Sequence, residues 1–249
     1  MKKILLPIIT GMALIITTHS FSLTLTSPVL KNSTTTATFP VQYAYCKANG
    51  EGGVEKSNDL SPPLSWSDAP KGTKSFVLIF KDPTAANTPN FDVTGKTIPK
   101  SLPRGNFYHW VLVNISKKKS FLPEGAGSKG FVPGGKNPGL THYGLAGLNS
   151  YTNVFSSPLS KRINFEKNPK KSLKGLYGQY DGPCPPFNDA ALHQYTFTLY
   201  AVDVPSLHFD QGGSFTGDQV IAELKGHVLA EASIVAPYTT NQSLQEHAE

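Results

Sequence analysis

Charged residues are scarce in this chain of 249 residues. Asp, Glu, Lys and Arg together make up 16% of the sequence, whereas aromatic residues reach 10%. A composition with few charges and many core-forming side chains excludes a disordered protein. The formal net charge is +6 and falls to +4 without Lys2 and Lys3. This excess is too mild to indicate a nucleic-acid partner, and we expect none.

Cysteine is also rare, with Cys46 and Cys184 as the two examples. An even number of cysteines is typical of a disulfide in an oxidising compartment. Such a bridge would close a loop of about 140 residues and stabilise the fold by about 4–5 kcal/mol. Two buried free thiols are the alternative. The sequence leaves both open, because the Cα separation decides between them.

Long apolar runs are missing except at the N-terminus. Lys2 and Lys3 precede an apolar run over 4–16. Ser20 and Ser22 then place small residues at the −3 and −1 positions of a cleavage site. The run is shorter than the roughly 20 residues that a membrane-spanning helix needs.

We therefore interpret residues 1–22 as a signal peptide, with a retained N-terminal anchor as the alternative. The prediction is an exported protein, periplasmic or secreted. Residues 23–249 have the length of one large domain, and a β-sandwich of this size is common.

Segments rich in β-branched and aromatic residues, separated by Gly and Pro, dominate the rest of the chain. One helix is predicted where Thr216 and Gln219 form a capping box and Gly226 ends the apolar periodicity. Without regular alternation of strands and helices, the pattern indicates a mostly β sandwich. The candidate strands are 23–30, 38–45, 75–81, 107–115, 195–204 and 228–235.

Two segments, 84–106 and 116–176, are predicted to be loops. The second is a long insertion that carries many lysines. These lysines predict either a basic face for an anionic lipid or glycan, or a solvated and partly mobile loop.

Two histidines stand at the starts of apolar rows. Period-two alternation places His193 and Tyr195 on the core face of one strand. The same alternation predicts that His109 shares a face with Val111 and Val113. Two inward histidines at strand ends would line one pocket if their strands were neighbours. The alternative for each is a hydrogen-bonded structural histidine.

A series of short motifs adds a second line of inference. They occur in the order Ser61-Pro62-Pro63-Leu64-Ser65-Trp66, Asp82-Pro83-Thr84-Ala85, Tyr108-His109-Trp110-Val111-Leu112-Val113-Asn114-Ile115, Gly182-Pro183-Cys184-Pro185-Pro186, His193-Gln194-Tyr195 and Leu199-Tyr200-Ala201-Val202-Asp203. Together they resemble the phosphatidylethanolamine-binding protein family, in its bacterial Raf-kinase-inhibitor-like branch. The resemblance covers about residues 24–238, nearly the whole mature chain.

The resemblance implies a β-sandwich of a large and a small antiparallel sheet with a few short peripheral helices. It also implies a pocket for phosphate-like anions, including phospholipid headgroups. Histidines suit such a ligand because they supply N–H donors and can become cationic. The residues that match the family's pocket are Asp82, His109, Pro185, Pro186, His193 and Tyr195.

Two positions depart from the family pattern. Thr84 stands where the family's Asp-Pro-Asp-Ala-Pro motif has a second carboxylate, and Gln194 stands where His-Arg-Tyr has a cation. Thr84 should change the polarity of the pocket, so headgroup preference does not transfer from the family. Gln194 lies on the opposite face of its strand and should affect folding contacts instead.

Three functions are compatible with these features. The leading one is a non-catalytic binding protein for a small phosphorylated or anionic ligand, with no cofactor. The second is a protein–protein inhibitor of a protease or signalling enzyme, with 116–176 as its contact surface. The third is a metal-dependent hydrolase using Asp82, His109 and His193, which no HxH, HExxH or G-x-S-x-G motif supports. We therefore expect no catalytic residues and no metal.

Overall fold

The computed structural model describes residues 22–86, 97–157 and 172–245. Residues 1–21, which hold almost all of the predicted signal peptide, lie outside these ranges. Within the ranges, no helix is long and apolar enough to span a bilayer.

Antiparallel strands make up most of the regular structure. They are β1 (Thr24–Thr26), β2 (Cys46–Ala48), β3 (Val54–Lys56), β4 (Leu64–Ser67), β5 (Ser75–Ala86), β6 (Arg104–Ser116), β7 (Phe121–Leu122), β8 (Gly139–Leu140), β9 (Leu145–Ala146), β10 (His193–Val202) and β11 (Val228–Tyr238). A large sheet has the order β11-β10-β5-β6-β9-β8, and a small sheet has the order β1-β4-β7. Strands β2 and β3 pair separately.

The two main sheets pack face to face around a shared apolar core. Trp66 of β4 meets Phe76 of β5 edge to face, with ring centroids 5.5 Å apart. The mostly β sandwich of a large and a small sheet is therefore confirmed. Further side chains of this core are Leu25, Leu64 and Leu122 from the small sheet and Leu78, Leu112, Phe197 and Leu199 from the large one.

Strand β5 lies inside the large sheet and is buried on both faces. Its residues 75–80 are all buried, because one face meets the small sheet and the other meets helix α2 (Gly217–Glu223). Val220 and Leu224 cover that second face. A strand covered on both sides needs a continuous apolar run, which the sequence shows.

Helix α2 confirms the predicted capping box. The Thr216 side chain accepts a hydrogen bond from the Gln219 N–H, and the Gln219 side chain accepts one from the Thr216 N–H. Gly226, with a φ of 83°, follows the helix in the left-handed region that favours glycine. Two more short helices are α1 (Tyr151–Ser156) and α3 (Gln242–Gln245).

The first two candidate strands are largely wrong. The predicted strand 23–30 is limited to β1, because the Ser27 hydroxyl accepts hydrogen bonds from the N–H groups of Val29 and Leu30 and turns the chain. The predicted strand 38–45 contains a 3₁₀ turn over Val41–Tyr43 that follows Pro40. Proline fixes φ and favours the start of such a turn.

The two predicted loops are more ordered than expected. Strand β5 extends to Ala86 and β6 begins at Arg104, so both reach into 84–106. The long segment 116–176 contains β7, β8, β9 and α1, and is not one irregular loop. Strand β9 pairs with β6, which extends the large sheet at that edge. Residues 158–171, which carry four lysines and Arg162 of the predicted basic face, lie outside the described part of the chain.

Strand β6 contains a bulge at His109. Phe80 pairs with Trp110 and Lys81 pairs with Tyr108, so one residue of β6 has no partner on β5. The extra residue interrupts the alternation of side chains. The prediction that His109 shares a face with Val111 is therefore wrong. His109 lies instead on the Phe80 side, with ring centroids 5.2 Å apart.

Cys46 and Cys184 form a disulfide, which decides between the two alternatives that the sequence left open. Their Cα atoms are 5.0 Å apart and 138 residues separate them along the chain. The bridge joins β2 to residues 182–186, a Pro-rich turn that leads toward β10. Nearby, Pro183 accepts backbone hydrogen bonds from Tyr45 and Cys46. The turn is thus fixed at Pro183 and at Cys184.

Candidate functional site

The site lies where three neighbouring strands of the large sheet come together. His193 begins β10, Asp82 lies in the second half of β5, and His109 is the bulged residue of β6. The Tyr195 ring lies close to both histidines, with centroids 5.2 Å from His109 and 6.2 Å from His193. The structure therefore brings these four predicted residues together.

His193 is held between two carboxylates. Its Nδ1 is 2.6 Å from Asp82 Oδ2, and its Nε2 is 3.1 Å from Asp189 Oδ2. Burial opposes the charged form, but the hydrogen bonds to Asp189 and Asp82 outweigh it and raise the pKa of His193 to about 9. His193 is therefore an imidazolium at neutral pH, and it donates from both nitrogens.

Asp82 is fixed by Thr84. Both the backbone N–H and the hydroxyl of Thr84 donate to Asp82 Oδ1, at 2.8 and 2.5 Å. Burial favours the neutral acid, but the His193 and Thr84 hydrogen bonds lower the pKa of Asp82 below its usual value. The Thr84 hydroxyl also accepts from the Gln194 N–H. The threonine that departs from the family pattern thus supports the carboxylate beside it.

Asp189 was not predicted, and it completes the ion network. Arg104 binds both of its carboxylate oxygens, at 2.7 and 3.0 Å. Burial acts against ionisation, but His193 and Arg104 lower the pKa of Asp189 to about 2. The one sequence signal was its position four residues before His193. The sequence contains no comparable signal for Arg104, because the pairing of β5 with β6 brings it to the site.

The charges of this network balance. Two carboxylates, Asp82 and Asp189, face two cations, His193 and Arg104. The His193, Asp82 and Asp189 side chains are at most 3% exposed. In this conformation the site is closed, and no ring N–H of His193 is free for a ligand.

His109 has the opposite electrostatic state. Its Nδ1 lies 2.8 Å from the Asp181 carbonyl, which can only accept, so Nδ1 carries the proton and Nε2 is an acceptor. Burial lowers the pKa of His109 to about 4. The two predicted histidines therefore differ at neutral pH, with His193 charged and His109 neutral.

The Pro-rich turn forms one side of the site. Gly182 approaches the Tyr43 carbonyl so closely that a Cβ would meet it at 2.1 Å. The Gly182 carbonyl accepts from the Tyr151 hydroxyl of α1. Pro185 accepts from the Thr240 hydroxyl, and Pro186 from the Asp189 N–H. Both prolines thus position the segment that carries Asp189.

A second buried ion cluster lies behind His109, and sequence reasoning missed it. Lys136 Nζ is 2.6 Å from both Asp59 Oδ2 and Asp181 Oδ1. Burial raises the pKa of both carboxyl groups, although Lys136 opposes that effect. Asn149 donates to Asp181 Oδ2. Because the Asp181 carbonyl accepts from His109, this cluster holds that histidine in place.

An open cavity lies beside this cluster and not at His193. Its volume is about 420 Å³, and its walls are residues 125–132, Lys136 and Gln179. The N–H groups of Gly125, Gly127 and Ser128 already bond to Ser61, and Lys136 is neutralised by two carboxylates. These N–H groups and the Lys136 ammonium are therefore not available to bind an anion in the cavity.

The donor atoms at the site do not suit a metal ion in this conformation. Both nitrogens of His193 bond to carboxylates, and His109 Nδ1 bonds to a carbonyl. Within the described ranges, no group of three or more His, Cys, Asp or Glu side chains is arranged to hold a metal. What the arrangement presents is a buried cation held between two carboxylates.

Comparison with known proteins identifies relatives over most of the chain. Residues 30–239 match the family model described as phosphatidylethanolamine-binding protein. The UPF0098 protein YbhB of Escherichia coli is 31% identical over 185 residues, which cover 73% of this chain and 83% of the relative. A UPF0098 protein of Aquifex aeolicus is 30% identical, with 72% and 74% covered.

Two solved structures are similar to this one. A structure from Chlamydia trachomatis, described as a putative phosphatidylethanolamine-binding protein homologue, has a TM-score of 0.55 and 26% identity. Escherichia coli YbcL, described as a new member of the mammalian PEBP family, has a TM-score of 0.57 and 23% identity, which bears on the fold alone. Each comparison covers 88% of this chain and 98% of the other.

Proposed function

Because this chain belongs to the phosphatidylethanolamine-binding protein family, we propose that it is a non-catalytic binding protein for a phosphate-like anion. The ligand would be a small phosphorylated molecule or a phospholipid headgroup. The observation that carries this proposal is the buried His193 imidazolium, which donates from both nitrogens at the meeting point of three strands. A buried cation of this kind is suited to a phosphate oxygen.

His109 and Tyr195 supply the rest of the proposed site. The neutral His109 presents an acceptor nitrogen, and its ring packs against Tyr195. An acceptor beside a cation suits a ligand that has a donor next to its phosphate, such as the ammonium group of phosphoethanolamine. Asp82 positions His193 and does not meet the anion, since its oxygens are taken by His193 and Thr84.

Export is part of the same proposal. The basic start and apolar run of residues 1–22 have the form of a signal peptide. The Cys46–Cys184 disulfide is consistent with that route, because such bridges persist in oxidising compartments. We therefore propose a periplasmic or secreted location, where headgroups and free phosphorylated molecules are both accessible.

The test is a titration of the purified mature protein with inorganic phosphate and with phosphoethanolamine, followed through the histidine NMR signals. We expect the chemical shifts of His193 to change as ligand is added and the change to saturate at millimolar ligand. His193→Gln should abolish the saturable change. His227→Gln is the matched control, because His227 also pairs with an aspartate, Asp203, but is 41% exposed.

Two results would count against the proposal. One is an absence of movement at His109 and His193 over the millimolar range. The other is movement that His193→Gln leaves unchanged, which would put the anion elsewhere on the protein. A stronger response to phosphoethanolamine than to phosphate would identify the ammonium group as part of the recognised ligand.

A further inference from the structure

The Nε2 of His193, the nitrogen that a ligand anion would need, already holds a carboxylate. Asp189 Oδ2 lies 3.1 Å from it, and the Asp189 side chain is 1% exposed. Asp82 takes the other ring nitrogen. An anion can therefore reach a His193 donor only by replacing one of these two carboxylates.

Asp189 is the more exchangeable of the two. Asp82 is part of strand β5 and receives two hydrogen bonds from Thr84. Asp189 lies outside the strands, in the segment between the Pro-rich turn and β10. Its backbone is held by a turn to Pro186, a bridge to Ile98 and the side chain of Asn241. A rotation of its side chain would break the bonds from His193, Arg104 and the Ala191 N–H, but it would leave every strand pairing intact.

Arg104, which binds the Asp189 carboxylate, has one N–H donor without a hydrogen-bond partner among the described residues. Its two terminal nitrogens bind the Asp189 carboxylate, and they also donate to the carbonyls of Thr84 and Pro99. Its Nε is buried and has no hydrogen-bond partner among the described residues. A buried donor on a charged group that lacks a partner indicates that the network is not fully satisfied in the closed state.

We propose that Asp189 is an internal anion that closes the binding site, and that a phosphate-like ligand binds by displacing it from His193 and engaging Arg104. This inference rests on the proposed function and adds to it how the site is gated. Asp189 acts as a specificity-determining residue, because any ligand must compete with a carboxylate that is already in place.

The competition favours one chemical class. A monoanion that replaces Asp189 restores only the single negative charge that was lost next to His193 and Arg104. A dianion, such as inorganic phosphate or a phosphate monoester, adds a second charge and more acceptor oxygens. We therefore expect selection for dianionic phosphates over phosphodiesters and carboxylates.

The experiment compares phosphate binding by the wild-type protein and Asp189→Asn at pH about 7, where much of the phosphate is dianionic and the remaining Asp82 carboxylate favours the charged form of His193. Asparagine keeps the shape and removes the charge that occupies Nε2. We expect binding to be about tenfold tighter or more, since a hydrogen bond to a charged group contributes at least that factor. Dimethyl phosphate, a monoanionic diester, should bind more weakly than phosphate to the wild-type protein.

Asp203→Asn is the matched control. Asp203 also pairs with a histidine, His227, but directly follows the far end of β10 and is 45% exposed. It loses the same charge far from the site, so its phosphate affinity should equal that of the wild-type protein. An equal gain in both variants would mean that overall charge, and not release of His193, explains the effect, and would overturn the proposal.

The outcomes separate this inference from the proposed function. If both proteins bind phosphate and Asp189→Asn binds no tighter, the gate is refuted and the binding function stands. If neither binds at millimolar phosphate, the proposed function fails and the gate with it.

A second variant guards against misfolding. Asp189→Ala should bind acetate in the space of the lost carboxylate, and acetate should compete there with phosphate. Phosphate binding by this variant that acetate leaves unaffected would also refute the gate.

Discussion

His109 and His193 contact the same tyrosine but have opposite protonation states. His193 lies between Asp82 and Asp189, whereas the Nδ1 of His109 bonds to a backbone carbonyl. Both rings are buried, so the neighbouring charges decide which form is stable. At neutral pH, His193 therefore supplies a cation and His109 a neutral acceptor.

These states predict opposite pH dependences of stability. The pKa of His193 is raised to about 9 from 6.5, so its stabilising contribution is complete below pH about 6.5 and is lost as pH rises through about 9. The stability difference between wild-type protein and His193→Gln should therefore shrink by about 3 kcal/mol over that range. Urea unfolding at a series of pH values measures it.

His109 should show its effect on the acid side. Its pKa is lowered to about 4 because burial disfavours the charged ring. Above pH about 6.5 the ring is neutral in both the folded and the unfolded protein, so it does not change the stability. As pH falls toward about 4, the unfolded state binds a proton that the folded state does not, and stability is lost. The wild-type protein should lose about 3 kcal/mol relative to His109→Gln over that range. Parallel unfolding profiles for wild-type protein and both variants would contradict the assignment of the two states.

At the scale of single elements, the bulge in β6 decides where His109 lies. The alternation of β10 was predictable, because His193, Tyr195 and Phe197 are regularly paired and buried on one face. The alternation of β6 failed at His109, which lies at one of the register shifts between this strand and β5. A bulge depends on the register with the neighbouring strand, and the sequence of β6 alone does not contain that register.

The bulge gives a prediction about deletions. Removing His109 would leave Tyr108 and Trp110 adjacent, opposite Lys81 and Phe80, with each side chain still on its present face. Removing Val111 would turn every side chain before it to the wrong face. We expect the protein lacking His109 to fold with reduced stability, and the protein lacking Val111 to lose about 4 kcal/mol or more.

Circular dichroism and urea unfolding of the two deletion variants provide the measurement. The protein lacking His109 should keep a cooperative transition, and it should not bind phosphate tightly. Equal damage from the two deletions would show that His109 is not the extra residue of the strand.

At the scale of the whole molecule, motif order predicted the sandwich and part of the site, but not the ion networks. Asp82, His109, His193 and Tyr195 stand in motifs and at strand ends, so the sequence could nominate them. Asp189, Arg104 and Lys136 act through partners up to 85 residues away. The contacts of Arg104 and Lys136 form only when distant segments come together, so no local pattern encodes them. Asp189 alone had a local signal, its position four residues before His193.

The disulfide also acts on the whole chain. It connects residues 138 positions apart and fixes the Pro-rich turn beside the site. Replacing both cysteines by serine should lower the free energy of unfolding by about 4–5 kcal/mol, mainly because the unfolded chain gains freedom. Urea unfolding of the double variant, compared with oxidised and reduced wild-type protein, measures this. A loss under about 1 kcal/mol would mean that the bridge contributes little.

A crystal structure of the mature protein with saturating inorganic phosphate would show whether the anion replaces Asp189 at His193. We expect a phosphate oxygen within hydrogen-bond distance of His193 Nε2 and another near Arg104, with the Asp189 carboxylate moved away from the ring. Phosphate bound only in the cavity beside Lys136, or an Asp189–His193 contact unchanged at a concentration that saturates binding, would contradict it.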